Sequence, residues 1–383
     1  MFVCVVLWLI LLSVRLCGSV ADHAVAAVAF YISGHGFGHA SRQIEIINAF
    51  ARRRPDVRIF LRTAVTRWLL DRTIEPAFEI DDRPCDTGVV QIDSLHLDPA
   101  ASIAQADAFY RTFEARVAAE ADLLAAHDVR VVIADAPPLG CAAAARAGLP
   151  SFVVSNFTWD WIYEGYPEYL AAAPALVPAI QGAYRQATGA WRLPMYGGFA
   201  TFPPSALIDV PLVARHATLP PDETRRRVGL PVDRKLALPS FGGYGLPGLD
   251  PARVDAGDDW QVVHGMAEAA IYEAGLRYED LVAAVDVVVT KPGYGIISEC
   301  IANDTAIVYT SRGRFVEYDV LVREMPAVLR CAFIDHASLL AGDWRPALDA
   351  AVNAPAPPKP RTDGADVVAE MIGEEPGLAT LRR

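Results

Sequence analysis

Val25-Ala26-Ala27-Val28-Ala29-Phe30-Tyr31-Ile32 runs without interruption into Ser33-Gly34-His35-Gly36-Phe37-Gly38-His39-Ala40-Ser41-Arg42, and this junction decides the fold. A near-continuous apolar run reads as a strand covered on both faces, the kind found in parallel sheets. The glycines that follow let the backbone turn sharply and approach a ligand closely. Ile44, Ile47 and Phe50 then fall on one helical face. Strand, Gly-rich loop and helix, in that order, open a doubly wound α/β unit. Its free N–H groups and positive dipole end lie beyond the strand, where such sheets bind ligands.

The same grammar continues along the 383 residues. Segments 57–61, 129–134 and 151–154 read as strands, and 100–126 as one long Ala-rich helix. The stretch 194–211 is dense in Pro and Gly and is expected to be the crossing between domains. After it the alternation restarts, with strands at 235–238, 285–290 and 306–309 and helices at 222–228 and 296–302. The expected architecture is α/β, two facing Rossmann-like domains with parallel sheets, at 23–203 and 204–360. An apolar extension (1–22) precedes them, and a C-terminal helix and tail (361–383) is expected to pack back on the first domain.

Hydrophobic residues make up 53% and charged residues 21%, enough to bury two cores. A net charge of −12 argues against nucleic acid as a partner, because that needs a basic stripe. The six cysteines include no Cys-x-x-Cys pair and read as buried thiols in a reducing compartment, with Cys85 the one expected near the surface. Residues 2–14 are apolar but shorter than the ~20 needed to span a bilayer. They also lack a basic n-region, since the first cation is Arg15. A cytoplasmic location is expected, with peripheral membrane association only if residues 1–20 are retained.

Three Gly-rich loops each follow a strand and carry the candidate chemistry. In the first, His39 and then His35 are the candidate bases, since imidazole titrates nearest neutrality. Gly36 and Gly38 bring backbone amides to an anion. A dinucleotide fingerprint wants Gly-x-Gly-x-x-Gly, whereas this loop reads Gly-x-Gly-x-Gly, and no Walker A loop occurs. The second loop, Ser240-Phe241-Gly242-Gly243-Tyr244-Gly245, offers a phosphate cradle through Ser240, Gly242 and Gly243. The third, Thr290-Lys291-Pro292-Gly293-Tyr294-Gly295, joins a cation (Lys291), free amides (Gly293, Gly295) and a helix start carrying Ser298 and Glu299. Glu299 is placed to grip a ribose diol. Glu317 and Asp319 are candidates for sugar hydroxyls, in a polar cluster with Arg314 and Tyr318. Asp135, closing a strand, is expected to orient a histidine. Asn156, Trp159 and Asp160 are candidates for acceptor binding, the Trp by stacking.

With these loops in hand the sequence resembles a known family. Gly34-His35-Gly36-Phe37-Gly38-His39-Ala40-Ser41-Arg42, Ser155-Asn156-Phe157-Thr158-Trp159-Asp160, Ile208-Asp209-Val210-Pro211-Leu212-Val213 and Lys291-Pro292-Gly293-Tyr294-Gly295 resemble the glycosyltransferase-like domain that precedes the sugar-kinase domain of plant L-arabinokinases. More distantly, Gly38-His39 and Glu299 are similar to positions in the peptidoglycan N-acetylglucosaminyltransferase and galactolipid synthase family. The resemblance implies a GT-B fold and a nucleotide diphosphate-sugar donor, a UDP-sugar, held by the C-terminal domain. It further implies inverting, metal-independent transfer to an acceptor of unknown kind, small molecule or lipid. No cofactor beyond the co-substrate is expected. The kinase domain and its ATP loop are missing, so kinase activity is not expected. A non-catalytic sugar-nucleotide-binding protein of the same fold is the alternative.

Overall fold

The computed structural model describes residues 26–242, 245–264 and 268–379. The expected extension at 1–22, Gly243 and the last residues of the tail lie outside them. The first sheet has seven strands: β1 (Ala27–Ile32), β2 (Arg58–Arg62), β3 (Phe78–Asp81), β4 (Val129–Asp135), β5 (Ser151–Phe157), β6 (Gly189–Gly197) and β7 (Leu207–Asp209). They lie in the order β3-β2-β1-β4-β5-β6-β7, all parallel. The second sheet has β8 (Lys235–Ser240), β9 (Trp260–Val262), β10 (Val287–Thr290), β11 (Ala306–Tyr309) and β12 (Cys331–Phe333) in the order β9-β8-β10-β11-β12, again all parallel. Both are Rossmann-like sheets covered by helices, as expected.

β1 is the reason the first sheet forms where it does. All six of its residues are buried, which only a strand with helices on both faces achieves. Helix Phe37–Arg53 follows, entered through Gly36 at φ 76, a left-handed turn that suits glycine. It buries Ile44, Ile47 and Phe50 and ends with Arg52 and Arg53 in its last turn, where the dipole favours cations. Helix Gly364–Gly373 crosses back from the second domain and packs on it. Its Val368 and Ile372 are fully buried, each contributing about 1.5–3 kcal/mol by area.

Four expectations are corrected. The expected single helix over 100–126 is two, Pro99–Tyr110 and Phe113–Ala126. The break at Arg111-Thr112 lets Tyr110 stack on Phe113 (4.8 Å, 23°) instead of pointing to solvent. β7 pairs into the first sheet, so the chain leaves that domain only after Asp209 and the boundary at 203/204 falls too early. β9 and β12, three residues each, were not expected at all. Cys85 is buried, its thiol donating to the carbonyls of Ile32 and Arg62.

The carboxyl ends of the two sheets face one another across a cleft of about 900 Å³. Loops after β1, β5, β8, β10 and β11 line it. A short hairpin of the first domain, Val90–Gln91 with Leu97–Asp98, reaches across: the Ser94 hydroxyl donates to the carbonyl of Phe241 in the second domain.

Candidate active site

The floor of the cleft is where two helix N-termini meet. Helix Phe37–Arg53 starts in the first Gly-rich loop and helix Tyr294–Ala302 in the third. Their glycines touch backbone to backbone, since a Cβ placed on Gly295 would stand 3.3 Å from the Cα of Gly38. A side chain at Gly295 would need this contact to give by a few tenths of an ångström. Two positive dipole ends and their free N–H groups thus converge on one spot from opposite domains.

His39 lies in the first turn of its helix, buried but lining the cleft. Its Nδ1 is 3.0 Å from Asp135 Oδ1, at the end of β4. Phe157 packs edge-on against the ring (5.4 Å) and Trp159 lies roughly parallel to it (6.4 Å, 30°). Nε2 meets no hydrogen-bond partner among the described residues. Asp135 is fully buried, which alone would push its carboxyl up, yet the charges of Arg42 and His39 hold it below the usual carboxylate range.

Arg42, one turn along the same helix, accounts for that charge. Its Nε donates to Asp135 Oδ2 (2.8 Å) and its Nη2 to Asp135 Oδ1 and to Ser155 Oγ (3.1 Å), while Nη1 donates to Asn156 Oδ1 (2.6 Å). The two hydrogens of Nη2 are therefore spoken for. That leaves Nδ1–H of His39 to donate to Asp135, with the lone pair on Nε2.

His35 is braced. Its Nε2 contacts Gln91 Nε2 at 3.0 Å, and a Cβ on Gly88 would meet its Cβ at 2.7 Å, so Gly88 leaves just the room the imidazole fills. Desolvation at the cleft floor, then His39, Arg312 and Lys291, hold it down to about 3, so it is neutral. Behind it Asp86 accepts from Trp159 Nε1 (2.9 Å), and burial raises its carboxyl to about 6.

From the opposite domain Lys291 lines the cleft at the end of β10, with no hydrogen-bond or ion-pair partner among the described residues. Burial first, then Arg312, lower its ammonium to about 7, against the pull of Glu317. Arg312 itself donates to Glu317 Oε1 (2.9 Å). Glu299 also lines the cleft but is gripped by Arg215, through Nε (2.9 Å) and Nη2 (2.6 Å). The Ser240 hydroxyl is 2.5 Å from the Tyr278 hydroxyl, and Gly242 adopts φ 70.

The structure gathers His35, His39, Gly36, Gly38, Asn156, Trp159, Ser240, Gly242, Lys291, Gly293, Gly295, Glu299 and Glu317 around one cleft, with Asp135 directly behind His39. Three candidates fall outside it. Asp160 is buried behind the wall, accepting from Thr201 Oγ1 (3.0 Å). Ser298 spends its hydroxyl on the Gly295 carbonyl (2.8 Å). Asp319 is exposed on helix Tyr318–Glu324, whose buried side is Val320 and Leu321. Trp159 is only 2% exposed, so it forms the wall behind the histidines and offers no free face for stacking. Arg314 pairs with Glu168 at the surface. Arg42, Gln91, Arg215, Tyr278 and Arg312 were missed; of these only Arg42 carried a signal, its place one turn after the glycine–histidine run.

Two facing Rossmann-like domains with a glycine-floored cleft between them are the GT-B glycosyltransferase fold. The chain superposes on the glycosyltransferase of kitacinnamycin (TM-score 0.54, 17% identity, 93% of this chain and 97% of that one). It also superposes on a UDP-glucosyltransferase from Polygonum tinctorium (TM-score 0.54, 11% identity, 94% and 93%). No protein-family model matches the chain. By sequence it is similar to the L-arabinokinase of Arabidopsis thaliana, 30% identical over an alignment of 367 positions that covers 90% of this chain and 34% of that protein. The chain thus spans about a third of the length of the curated relative it matches, in keeping with the resemblance read from its loops.

Proposed function

We propose that this chain is an inverting glycosyltransferase that moves a sugar from a nucleotide diphosphate-sugar, a UDP-sugar, to an acceptor hydroxyl without a metal ion. The observation that carries this reading is His39, held through Nδ1 by Asp135 with Nε2 left for the cleft, facing Lys291 and the Gly293–Gly295 turn across the domain boundary. In the proposed step Nε2 takes the acceptor proton, and the acceptor oxygen attacks the anomeric carbon from the face opposite the leaving group. The bond between that carbon and the phosphate oxygen breaks, and the nucleoside diphosphate leaves with both electrons. Lys291 and the two converging helix N-termini meet its growing charge, in place of a cation. In this reading Glu299, held by Arg215, grips the ribose, and Glu317, held by Arg312, meets sugar hydroxyls. The neighbour from Polygonum tinctorium is by its name a UDP-glucosyltransferase, which supports the choice of donor.

His39→Ala tests the assignment. Loss of a general base lowers turnover by roughly 10²–10⁴, while donor affinity, read by calorimetry, stays within a few-fold. A variant that keeps full turnover removes His39 from the chemistry.

A further inference from the structure

Arg42 stands on a helix pinned to the core by Ile44, Ile47 and Phe50. Yet it is buried at the heart of the site and commits its donors to three side chains that surround His39. It forks onto both oxygens of Asp135, and ties Ser155 and Asn156 at the end of β5. Nη2 lies 2.9 Å from His39 Nδ1, so the guanidinium charge sits as close to the imidazole as the Asp135 carboxylate does. Its outer face meets the Tyr294 ring (5.4 Å) at the start of the opposing helix, so the same residue senses both domains.

We propose that Arg42 is a positioning residue that neutralises Asp135 at His39, and thereby sets the pH at which the imidazole loses its proton. A histidine beside a bare buried carboxylate stays protonated well into the neutral range and is useless as a base there. With Arg42 forked onto it, Asp135 stays ionised and still orients Nδ1–H, but the pair presents no net charge to the ring. The other titratable groups around the pair are His35 in the first loop (6.5 Å between ring centres), Asp86 in the loop after β3, and Tyr294 on the opposing helix. Lys291 and Arg312 act on His35. The inference rests on the transferase reading only for its consequence; the charge relation stands on geometry alone.

The test is a titration of the full chain carrying ¹³Cε1-labelled histidine, with the His39 signal assigned by its loss in His39→Asn. Arg42→Gln uncovers Asp135 and raises the His39 pKa by about 1–2 units, in the range an unpaired opposite charge produces. Arg42→Gln with Asp135→Asn removes both charges and cancels that rise. Arg42→Lys keeps a charge without the fork, so the pKa stays near wild type while turnover falls. Should Arg42→Gln fail to fold, Asp135→Asn is compared with the double variant. Arg42 is then the only difference, and its charge holds His39 at least about one unit lower in the single variant. An unmoved His39 pKa in folded Arg42→Gln, or identical values in Asp135→Asn and the double variant, overturns the proposal. The acid limb of the kcat/KM profile should follow the titration. If the pKa moves and the limb does not, the role of Arg42 stands and it is the assignment of His39 as base that fails.

Discussion

Lys291→Met removes the cleft cation while keeping the length of the side chain. In the structure the ammonium lines the same cleft as Gly293 and Gly295, with no hydrogen-bond or ion-pair partner among the described residues and Glu317 acting on it as an opposite charge, so an anionic ligand can pair with it directly. A hydrogen bond to a charged group is worth about 1.5–3 kcal/mol, which converts to about a 10- to 150-fold loss in donor affinity. The pH dependence sharpens this. In the empty cleft burial and Arg312 lower Lys291 to about 7, and a bound diphosphate raises it again. Affinity is therefore level below that value and falls as pH rises through it, approaching tenfold per unit until the bound-state pKa is reached. A nucleotide diphosphate-sugar is the right probe, because its diphosphate does not titrate over this range. Calorimetry at about pH 8.5, in two buffers of different ionisation enthalpy, should show close to one proton taken up per donor bound by wild type and none by Lys291→Met. A wild-type affinity that is flat from mildly acidic to alkaline pH, together with a variant within twofold of wild type, would refute the assignment of Lys291 to the diphosphate.

Two further perturbations test the walls of the cleft. Glu299→Gln strips Arg215 of its nearer carboxylate and leaves, among the described residues, only Glu279 (3.3 Å), so unfolding in urea should show a loss of about 3 kcal/mol, the low end for breaking a buried pair; a change below experimental error means that the pair is not a structural tie. Gly88→Ala places a methyl in a left-handed backbone (φ 60) against His35, so it should cost about 1–3 kcal/mol in thermal or chemical denaturation and shift the His35 resonances. An unaltered His35 signal would show that this loop does not brace the ring.

Much of the fold was legible because the central strands are long and built around apolar runs. β1, β4 and β5 announce themselves, and the glycines after β1 and β10 mark where the sheets turn toward a ligand. What failed was short or irregular: β3 has four residues, and β6, nine long, carries Gly189, Pro194 and Gly197 and runs into the stretch read as the crossing. β7, β9 and β12 have three residues each, too few for any period to register, and they gain their order from the strand beside them. The hairpin at Val90–Gln91 and Leu97–Asp98 pairs only two residues on each side and is closed by Asp93, whose carboxylate accepts from the Leu95 and His96 amides, so its sequence looks like loop. The site divides in the same way. Residues at strand ends or glycine turns, such as His39, Asp135, Lys291 and Gly295, were placed by chain direction alone. Asp319, Ser298 and Asp160 missed because their helices are rotated so that each faces solvent, its own backbone or the core. Arg42 was quoted but given no role, since its partners Asp135, Ser155 and Asn156 lie 93, 113 and 114 residues away and share no local pattern with it.

Donor turnover tests the central reading most directly. The purified chain is incubated with a panel of nucleotide diphosphate-sugars, and free nucleoside diphosphate is followed against time. The proposed function predicts saturable release from at least one UDP-sugar, slow with water as the acceptor, and abolished in His39→Ala although the donor still binds. Saturable donor binding with no release, with or without candidate acceptors, would contradict it and leave a sugar-nucleotide sensor of the same fold.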